Sequence, residues 1–380
     1  MSNKKQATAC EKSCKKTSIG GQSLMEGIMM RGPEMSAMAV RNAKGEIIME
    51  KEPNKAPSKI SKVPFLRGIF NMASSLKVGY KYLMRSADIA IADAEEADKA
   101  EKAAKEAAKN QEATEPAVET VTEEKPEEII SEAAKETPTV ETTEEAAKEA
   151  KPESEPKKEE KKSSTATTIV MVLGVIFGVA LAIGLFIVLP ATLYSLLDMI
   201  VPANLSAKTV GMSIFRSAFE AVFKIILLVL YMLVVSRMNE IRRVFMYHGA
   251  EHKTIFCYEA GLELTVENIR KQRRFHPRCG TSFLILVLLV SLFLGIFIPA
   301  SIALWLRILL KIALLPLTIG IGYELIKLAG KKDNAFTRFI SAPGVWLQHI
   351  TTVEPDDDMI ECAIVAMNEV IPEDKTKDNW

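Results

Sequence analysis

Thr167-Thr168-Ile169-Val170-Met171-Val172-Leu173-Gly174-Val175-Ile176-Phe177-Gly178-Val179-Ala180-Leu181-Ala182-Ile183-Gly184-Leu185-Phe186-Ile187-Val188-Leu189 is an unbroken run of apolar and small residues that ends at Pro190. As a helix it is long enough to cross the roughly 30 Å of hydrocarbon in a bilayer. Three more apolar stretches follow, at about 221–236, 282–299 and 308–328. The expected fold is a polytopic α-helical membrane protein with four transmembrane helices in residues 167–330. The average composition hides this, because 48 Lys and Arg balance 48 Asp and Glu across 380 residues of very different segments.

An even number of spans puts both termini on one side, and Lys and Arg next to the spans mark that side as cytoplasmic. The connection 237–281 carries Arg237, Arg242, Arg243, Lys253, Arg270, Lys271, Arg273, Arg274 and Arg278, whereas 191–210 holds only Lys208 and Asp198. Lys157, Lys158, Lys161 and Lys162 precede the first span, and Lys331, Lys332 and Arg338 follow the last. The expected location is the inner membrane, multi-pass, with both termini cytoplasmic. No secretory signal is visible in the polar N-terminus. Cys10, Cys14, Cys257, Cys279 and Cys362 all fall on the side where thiols stay reduced.

Residues 1–18 read as disordered, and 19–91 as a small α+β cytoplasmic segment. There, 36–41 and 46–50 flank Asn42-Ala43-Lys44-Gly45, the chemistry of a hairpin turn. After Pro64, Phe65, Ile69, Met72, Leu76, Tyr80 and Leu83 recur at helical spacing. That helix either lies on an anionic membrane surface or packs against the protein's own domain. Residues 92–166 mix Glu, Lys, Ala, Thr and Pro with few large apolar residues and read as a linker, with transient helix over 94–107. Residues 331–380 form a cytoplasmic tail. Its helix is expected to start at Pro355, with Asp356, Asp357 and Asp358 in the first turn and Ile360, Ile364, Met367 and Val370 on the apolar face.

The chemistry concentrates in His248-Gly249-Ala250-Glu251-His252. A helix continuing from the second span to about Tyr258 places the two imidazoles one turn apart on one face, where both can reach a single cation. His-x-x-Glu-His is the inverted zincin order, in which histidines ligate zinc and the glutamate is the general base. Gly261 should stop that helix, and Thr265 should cap another over 266–275. His276-Pro277-Arg278-Cys279-Gly280 then forms an irregular turn with two more competent ligands, and the fourth span returns Tyr323 and Glu324 to the same boundary. The expected ligands are therefore His248, His252, His276, Cys279 and Glu324, with Glu251 as catalytic base. Zinc is favoured by the His and Cys donors, while carboxylate-dominated coordination would leave manganese or iron open. A bland alternative is a polar network in which His248, Glu251 and Glu324 satisfy one another and Arg278. Arg216, Glu220 and Lys224, at four-residue steps, form either a structural ladder or an ion path. No P-loop, nucleophile elbow or dinucleotide fingerprint is present, and the basic loop lacks the aromatics of a nucleic-acid surface.

Gly20-Gly21-Gln22-Ser23-Leu24-Met25-Glu26-Gly27-Ile28-Met29-Met30-Arg31-Gly32-Pro33, Pro64-Phe65-Leu66-Arg67-Gly68, Tyr247-His248-Gly249-Ala250-Glu251-His252-Lys253 and His276-Pro277-Arg278-Cys279-Gly280-Thr281-Ser282 together resemble the YqhQ-like family of bacterial membrane proteins. Tyr323-Glu324, Pro343-Gly344 and Thr351-Thr352-Val353-Glu354-Pro355-Asp356-Asp357 look like that family's later motifs. The resemblance covers all but the extreme N-terminus and the linker, which looks longer than usual for the family. It implies a label of predicted metal-dependent enzyme and supplies no substrate. The motifs add Glu26, Arg31, Tyr247, Lys253, Arg278 and Tyr323 as further polar candidates.

The expected function is a metal-dependent, zinc-favouring integral-membrane hydrolase with its site at the cytoplasmic membrane face. The alternatives are a non-enzymatic membrane adaptor or assembly factor, or an ion or small-solute transporter. Its expected partners are the lipid bilayer and a membrane-associated substrate or protein, with homo-oligomerisation left open and no nucleic acid.

Overall fold

The computed structural model describes residues 16–55, 63–112, 165–201, 209–299, 301–331 and 334–378. Cys10, Cys14, most of the expected disordered N-terminus and the bulk of the expected linker (113–164) lie outside the described residues. The chain divides into a main unit, Met1–Lys99 with Gly178–Trp380, and a second unit, Ala100–Phe177.

Four strands, β1 (Gly20–Leu24), β2 (Gly27–Arg31), β3 (Met35–Arg41) and β4 (Ile47–Pro53), form an antiparallel meander in the order β1-β2-β3-β4. The expected hairpin joins β3 to β4: Asn42 Oδ1 accepts from the backbone N–H groups of Lys44 and Glu46, and Gly45 takes a φ of 85°. A hairpin also joins β1 to β2 through Met25 and Glu26. Glu26 has a φ of 52°, a conformation rare outside glycine.

After the sheet comes helix α1 (Leu66–Glu112), which runs through the stretch expected to be only transiently helical. Both sheet faces are buried. Met29, Met38 and Val40 pack on Tyr82 and Ile89 of α1, the second of the two alternatives open for that helix. On the opposite face Ile28, Met30 and Ala39 pack on Tyr247 and Ala250 of α5 (Asn239–Glu259) and on Met359 and Ala363 of α10 (Asp357–Asn368). Strand alternation therefore holds two helical layers apart, one on each side of the sheet.

Among the described residues, three helices are long and apolar enough to cross a membrane: Leu173–Ile200, Val210–Val235 and Leu304–Lys331. Gly280–Ile296 is a shorter apolar helix. The first of them does not stop at Pro190 as expected. Helix α2 (Thr165–Ile183) passes through a π-helical turn (Gly184–Val188) directly into α3 (Leu189–Ile200), which has proline in its first turn. The widened turn accommodates a residue that has no N–H and whose ring would crowd the preceding carbonyls. The second apolar stretch is α4 (Val210–Val235). The expected continuous helix to Tyr258 is broken at 236–238: Met238 is extended, and α5 restarts with Glu240 in its first turn, where the helix dipole favours a carboxylate.

At its far end α5 closes as the sequence predicts. Gly261 has a φ of 69°, with Leu262 N–H on Cys257 O and Gly261 N–H on Tyr258 O, a Schellman motif. Thr265 caps α6 (Val266–Arg270), which ends well short of the expected residue 275. Then follow α7 (Gly280–Ile296), α8 (Leu304–Lys331) and α9 (Ala335–Thr351), the last begun by an Asn334/Thr337 capping box. Helix α7 packs against α4, α8 and α9. The final helix, α10, starts two residues beyond Pro355.

Candidate metal centre

Helix α5 carries both histidines, and its position is set by a close backbone approach. A Cβ on Gly249 would stand 2.1 Å from Val353 O. Only glycine lets the extended segment after α9 lie so close, where Val353 N–H donates to Phe245 O at 2.9 Å. That approach brings the Thr351 carbonyl to 2.8 Å from His248 Nδ1. On the other side the chain after α6 brings the Arg274 carbonyl to 2.5 Å from His252 Nδ1. A carbonyl can only accept, so each Nδ1 carries a proton, and in the neutral form of each ring Nε2 keeps its lone pair.

Those two lone pairs converge on a thiol. Cys279, at the N-cap of α7, places Sγ 3.1 Å from His248 Nε2. His252 Nε2 is buried without a hydrogen bond of its own. One ligand atom from each of His248, His252 and Cys279 lies within 4.8 Å of the others. Burial alone would push the Cys279 thiol up, but the His248 and His252 rings outweigh it and hold the thiol well below its usual range. Burial would likewise lower His248, yet the Cys279 charge and hydrogen bond, Glu251 and the Thr351 carbonyl raise it to about 9.

Glu251 sits beside this group. Its Oε1 accepts from Gly21 N–H at 3.0 Å, and burial pushes its carboxyl up against the opposing pull of His248 and His252. A Cβ on Gly21 would stand 2.9 Å from Glu251 Cδ, so the glycine is what admits β1 to this contact. Gly21, Glu251, His252, His276, Arg278 and Cys279 line a cavity of about 80 Å³, room for a few waters.

The other candidates are placed differently. His276 is clamped through its backbone by Gln348, whose side chain accepts from His276 N–H and donates to His276 O, both at 2.7 Å. Its Nε2 lies 3.2 Å from Arg278 Nη2, and burial together with the Arg278 charge keeps the ring neutral, well below its usual pKa. The ring stacks at 5.4 Å from His252 but stays outside the ligand group. Arg278 itself pairs with Glu259 and donates to Thr17 O at 2.9 Å.

Glu324 is a correction to the expected ligand set. Its carboxylate is held by Arg67 and by Phe65 N–H at 3.2 Å. The physical reason is another glycine contact. Gly320 and Gly68 let the start of α1 cross α8 so closely that an added Cβ would lie 2.8 Å from Phe65 O or 2.6 Å from Tyr323 Cβ, which lays Arg67 on the carboxylate.

Tyr323 Oη accepts from Asn71 Nδ2 at 2.8 Å. Glu26 accepts from Arg243 Nε and Nη2, at 2.6 and 2.5 Å, Arg31 reaches Ser74 and Ser75, and Lys253 binds Glu354 and the Arg270 carbonyl. Tyr247 is buried in the core. These five side chains brace the elements around the centre. The groups that sequence reasoning missed are the Thr351 and Arg274 carbonyls, Gly21 N–H and the Gln348 clamp. Three of the four are backbone atoms, which no residue type announces.

The donor set fits a divalent cation: two imidazoles with Nδ1 fixed by carbonyls, one thiolate-prone cysteine, and a buried Nε2 lone pair with no hydrogen bond to satisfy it. Fold and site together define a helical membrane protein with a His/His/Cys group in which His252 and Cys279 are buried and His248 is partly so. A family profile described as "Protein of unknown function (DUF1385)" matches residues 63–373, and the chain belongs to that family. It is 43% identical over 146 residues to "Uncharacterized protein YqhQ" of Bacillus subtilis (strain 168). That match spans 38% of this chain and 46% of the relative, under half of the relative's length. No solved structure matches.

Proposed function

We propose that this protein is a metal-dependent hydrolase, with zinc held by His248 Nε2, His252 Nε2 and Cys279 Sγ. The observation that carries the reading is the pair of carbonyl-locked imidazoles converging on Cys279. Three protein ligands leave a fourth tetrahedral position open, the pattern of catalytic rather than structural zinc. A divalent ion there would supply Lewis acidity and lower the pKa of a coordinated water toward neutrality. Glu251, on the same helix and lining the same cavity, accepts the water's proton at a carboxylate oxygen, while Gly21 N–H orients the carboxylate. Arg278 and the cavity walls can bind and orient an acyl or phosphoryl oxygen.

The basic residues of 237–281 support a cytoplasmic site, inner-membrane residence and cytoplasmic termini. Helix α7, packed between α4 and α8, serves as the remaining span of a four-helix membrane domain. Residues 19–91 then act as the cytoplasmic segment, 92–166 as the linker and 331–380 as the tail. The substrate is a membrane-associated molecule or a cytoplasmic group presented at the bilayer surface.

Metal analysis of detergent-purified full-length protein tests the reading. The parent should hold stoichiometric zinc, His248→Ala and His252→Ala should lose it, and Glu251→Gln should keep it while losing hydrolysis. A parent free of metal after purification without chelators sinks the proposal. The 3.1 Å approach of Cys279 to His248 also makes a thiolate–imidazolium pair without any metal. Rapid iodoacetamide labelling of Cys279 that added zinc does not slow would favour a cysteine nucleophile instead.

A further inference from the structure

A second buried constellation sits within the membrane-spanning helices and shares no residue with the metal centre. Helix α4 buries Arg216, Glu220 and Lys224 on one face, and α8 adds Arg307 and Lys311. The four-residue ladder closes only at its first step. Glu220 accepts from Arg216 Nε at 3.3 Å, but its other oxygen is taken by Lys311 rather than by Lys224. Lys224 is only 7% exposed; Glu220 acts on it electrostatically, but no direct hydrogen bond or ion pair joins it to another described residue. Arg307 is 1% exposed; it donates through Nη2 to Pro299 O, while its Nε has no partner. Even with Asp198 counted, which acts on Tyr194 alongside this cluster, four cations face two carboxylates.

An excess of buried cations in a low-dielectric bundle is costly unless a lysine sheds its proton or a counter-charge joins them. The place for one is visible. Lys224, Lys311, Ser291 and Thr318 line a cavity of about 30 Å³ whose remaining walls are apolar, among them Ile187 and Leu294. That volume admits one or two water-sized particles. Its charged walls are lysines, compact point charges, and no arginine fork that would match planar or tetrahedral oxyanions reaches it. Thr318 has already spent its hydroxyl proton on Leu314 O, which leaves Ser291 as the neutral donor.

We propose that this intramembrane cavity binds a small monovalent inorganic anion of chloride size, held by the Lys224 and Lys311 ammonium groups and the Ser291 hydroxyl. The anion offsets the charge that Glu220 leaves uncompensated. It ties α4, α7 and α8 together at one point. This site is independent of the hydrolase reading, and either can fail alone.

The test uses full-length protein in phosphatidylcholine nanodiscs, at constant ionic strength in sodium chloride or sodium gluconate. Chloride should raise the thermal midpoint by a few degrees over gluconate and give excess ³⁵Cl NMR line broadening that unlabelled bromide competes away. Lys224→Met should abolish both effects. Ser291→Ala should weaken both, and it decides the matter if Lys224→Met does not fold. Identical behaviour of the parent in the two salts overturns the proposal, as does broadening that survives both substitutions. Stabilisation in gluconate by inorganic phosphate, or by phosphatidylglycerol nanodiscs, equal to that by chloride would overturn the size argument and make the ligand a phosphate group.

Discussion

Gly249→Ala sets helix propensity against packing at the one point where α5 is pinned. In a helix interior alanine is favoured over glycine by about 1 kcal/mol, so on local grounds the substitution stabilises. The added Cβ would nevertheless stand 2.1 Å from Val353 O, 3.3 Å from Val353 C and 3.4 Å from Pro355 Cδ. The nearest of these is backbone, tethered to α5 by the Val353 N–H to Phe245 O bond at 2.9 Å, so it cannot swing aside as a side chain would. Recovering ordinary contact needs the segment to move by more than about 1 Å, and overpacking of this kind costs about 1–3 kcal/mol. With the upper half of that range set against the propensity gain, the net loss is about 1–2 kcal/mol. The same shift withdraws the Thr351 carbonyl from His248 Nδ1, and losing an outer-shell partner of a metal-ligating histidine typically weakens metal binding about 10–100-fold. Thermal unfolding in detergent and zinc competition against a chromophoric chelator read the two effects. Gly211→Ala in α4, where no atom lies within 4 Å of the new methyl, is the control. If Gly249→Ala is as stable as the parent and binds zinc equally well, the close approach does not position the centre.

Zinc affinity should rise with pH by about tenfold per unit between pH 6 and about pH 9 and then flatten. The sign follows from His248, which is raised to about 9 in the metal-free protein, so below that pH a proton must leave before Nε2 can coordinate. A chelator competition series across pH checks it, and a flat profile would remove His248 from the ligand set. Glu324→Gln should leave zinc stoichiometry unchanged and cost about 1–3 kcal/mol, because the Arg67–Glu324 pair is only about a quarter exposed on each side and loses its charge-assisted character. Loss of zinc in that variant would return Glu324 to the centre. Arg278→Met strands the buried Glu259 carboxylate and should cost about 3–5 kcal/mol, with much of the loss recovered when Glu259→Gln is added. Denaturant or thermal unfolding of the single and double variants decides it, and a mild single variant would refute the buried-pair account.

The parts of the molecule legible in the sequence are those whose signal is periodic or local. Apolar runs announced the membrane helices, Asn42 to Gly45 the β3–β4 turn, Gly261 the end of α5 and Thr265 the cap of α6. Two helix ends were misread. Pro190 did not end the first apolar helix, because a π-helical turn absorbs it, and the second did not run on to Tyr258, because the chain turns at 236–238. The hairpin of β1 and β2 escaped notice since its turn uses Met25 and Glu26 instead of the usual Asn-Gly chemistry. In the site, His248, His252 and Cys279 were readable because their own side chains, rather than backbone groups, form the cluster. Glu324 was misassigned because proximity to the membrane boundary does not say which cation a carboxylate meets first. Arg67 lies 257 residues away in sequence, and only the Gly68 and Gly320 crossing brings it there.

The centre is held on several sides by segments far apart in the chain: Gly21 from β1, the Arg274 carbonyl after α6, the Gln348 clamp from α9 and the Thr351 carbonyl beyond it. Each contact fixes a ring, a carboxylate or, at His276, the backbone through groups that do not titrate. The geometry of the three ligand atoms is therefore set before any ion arrives, and binding does not have to order the chain. A site assembled only for structure would gain its stability from folding around the metal, and its ligands would be mobile without it. Here the sheet core and the α5–α10 packing already hold His248 and His252 rigid, so an ion adds little to the fold. Zinc removal should accordingly leave the thermal midpoint nearly unchanged while ending hydrolysis. A collapse of the fold on chelation would instead mark the centre as structural.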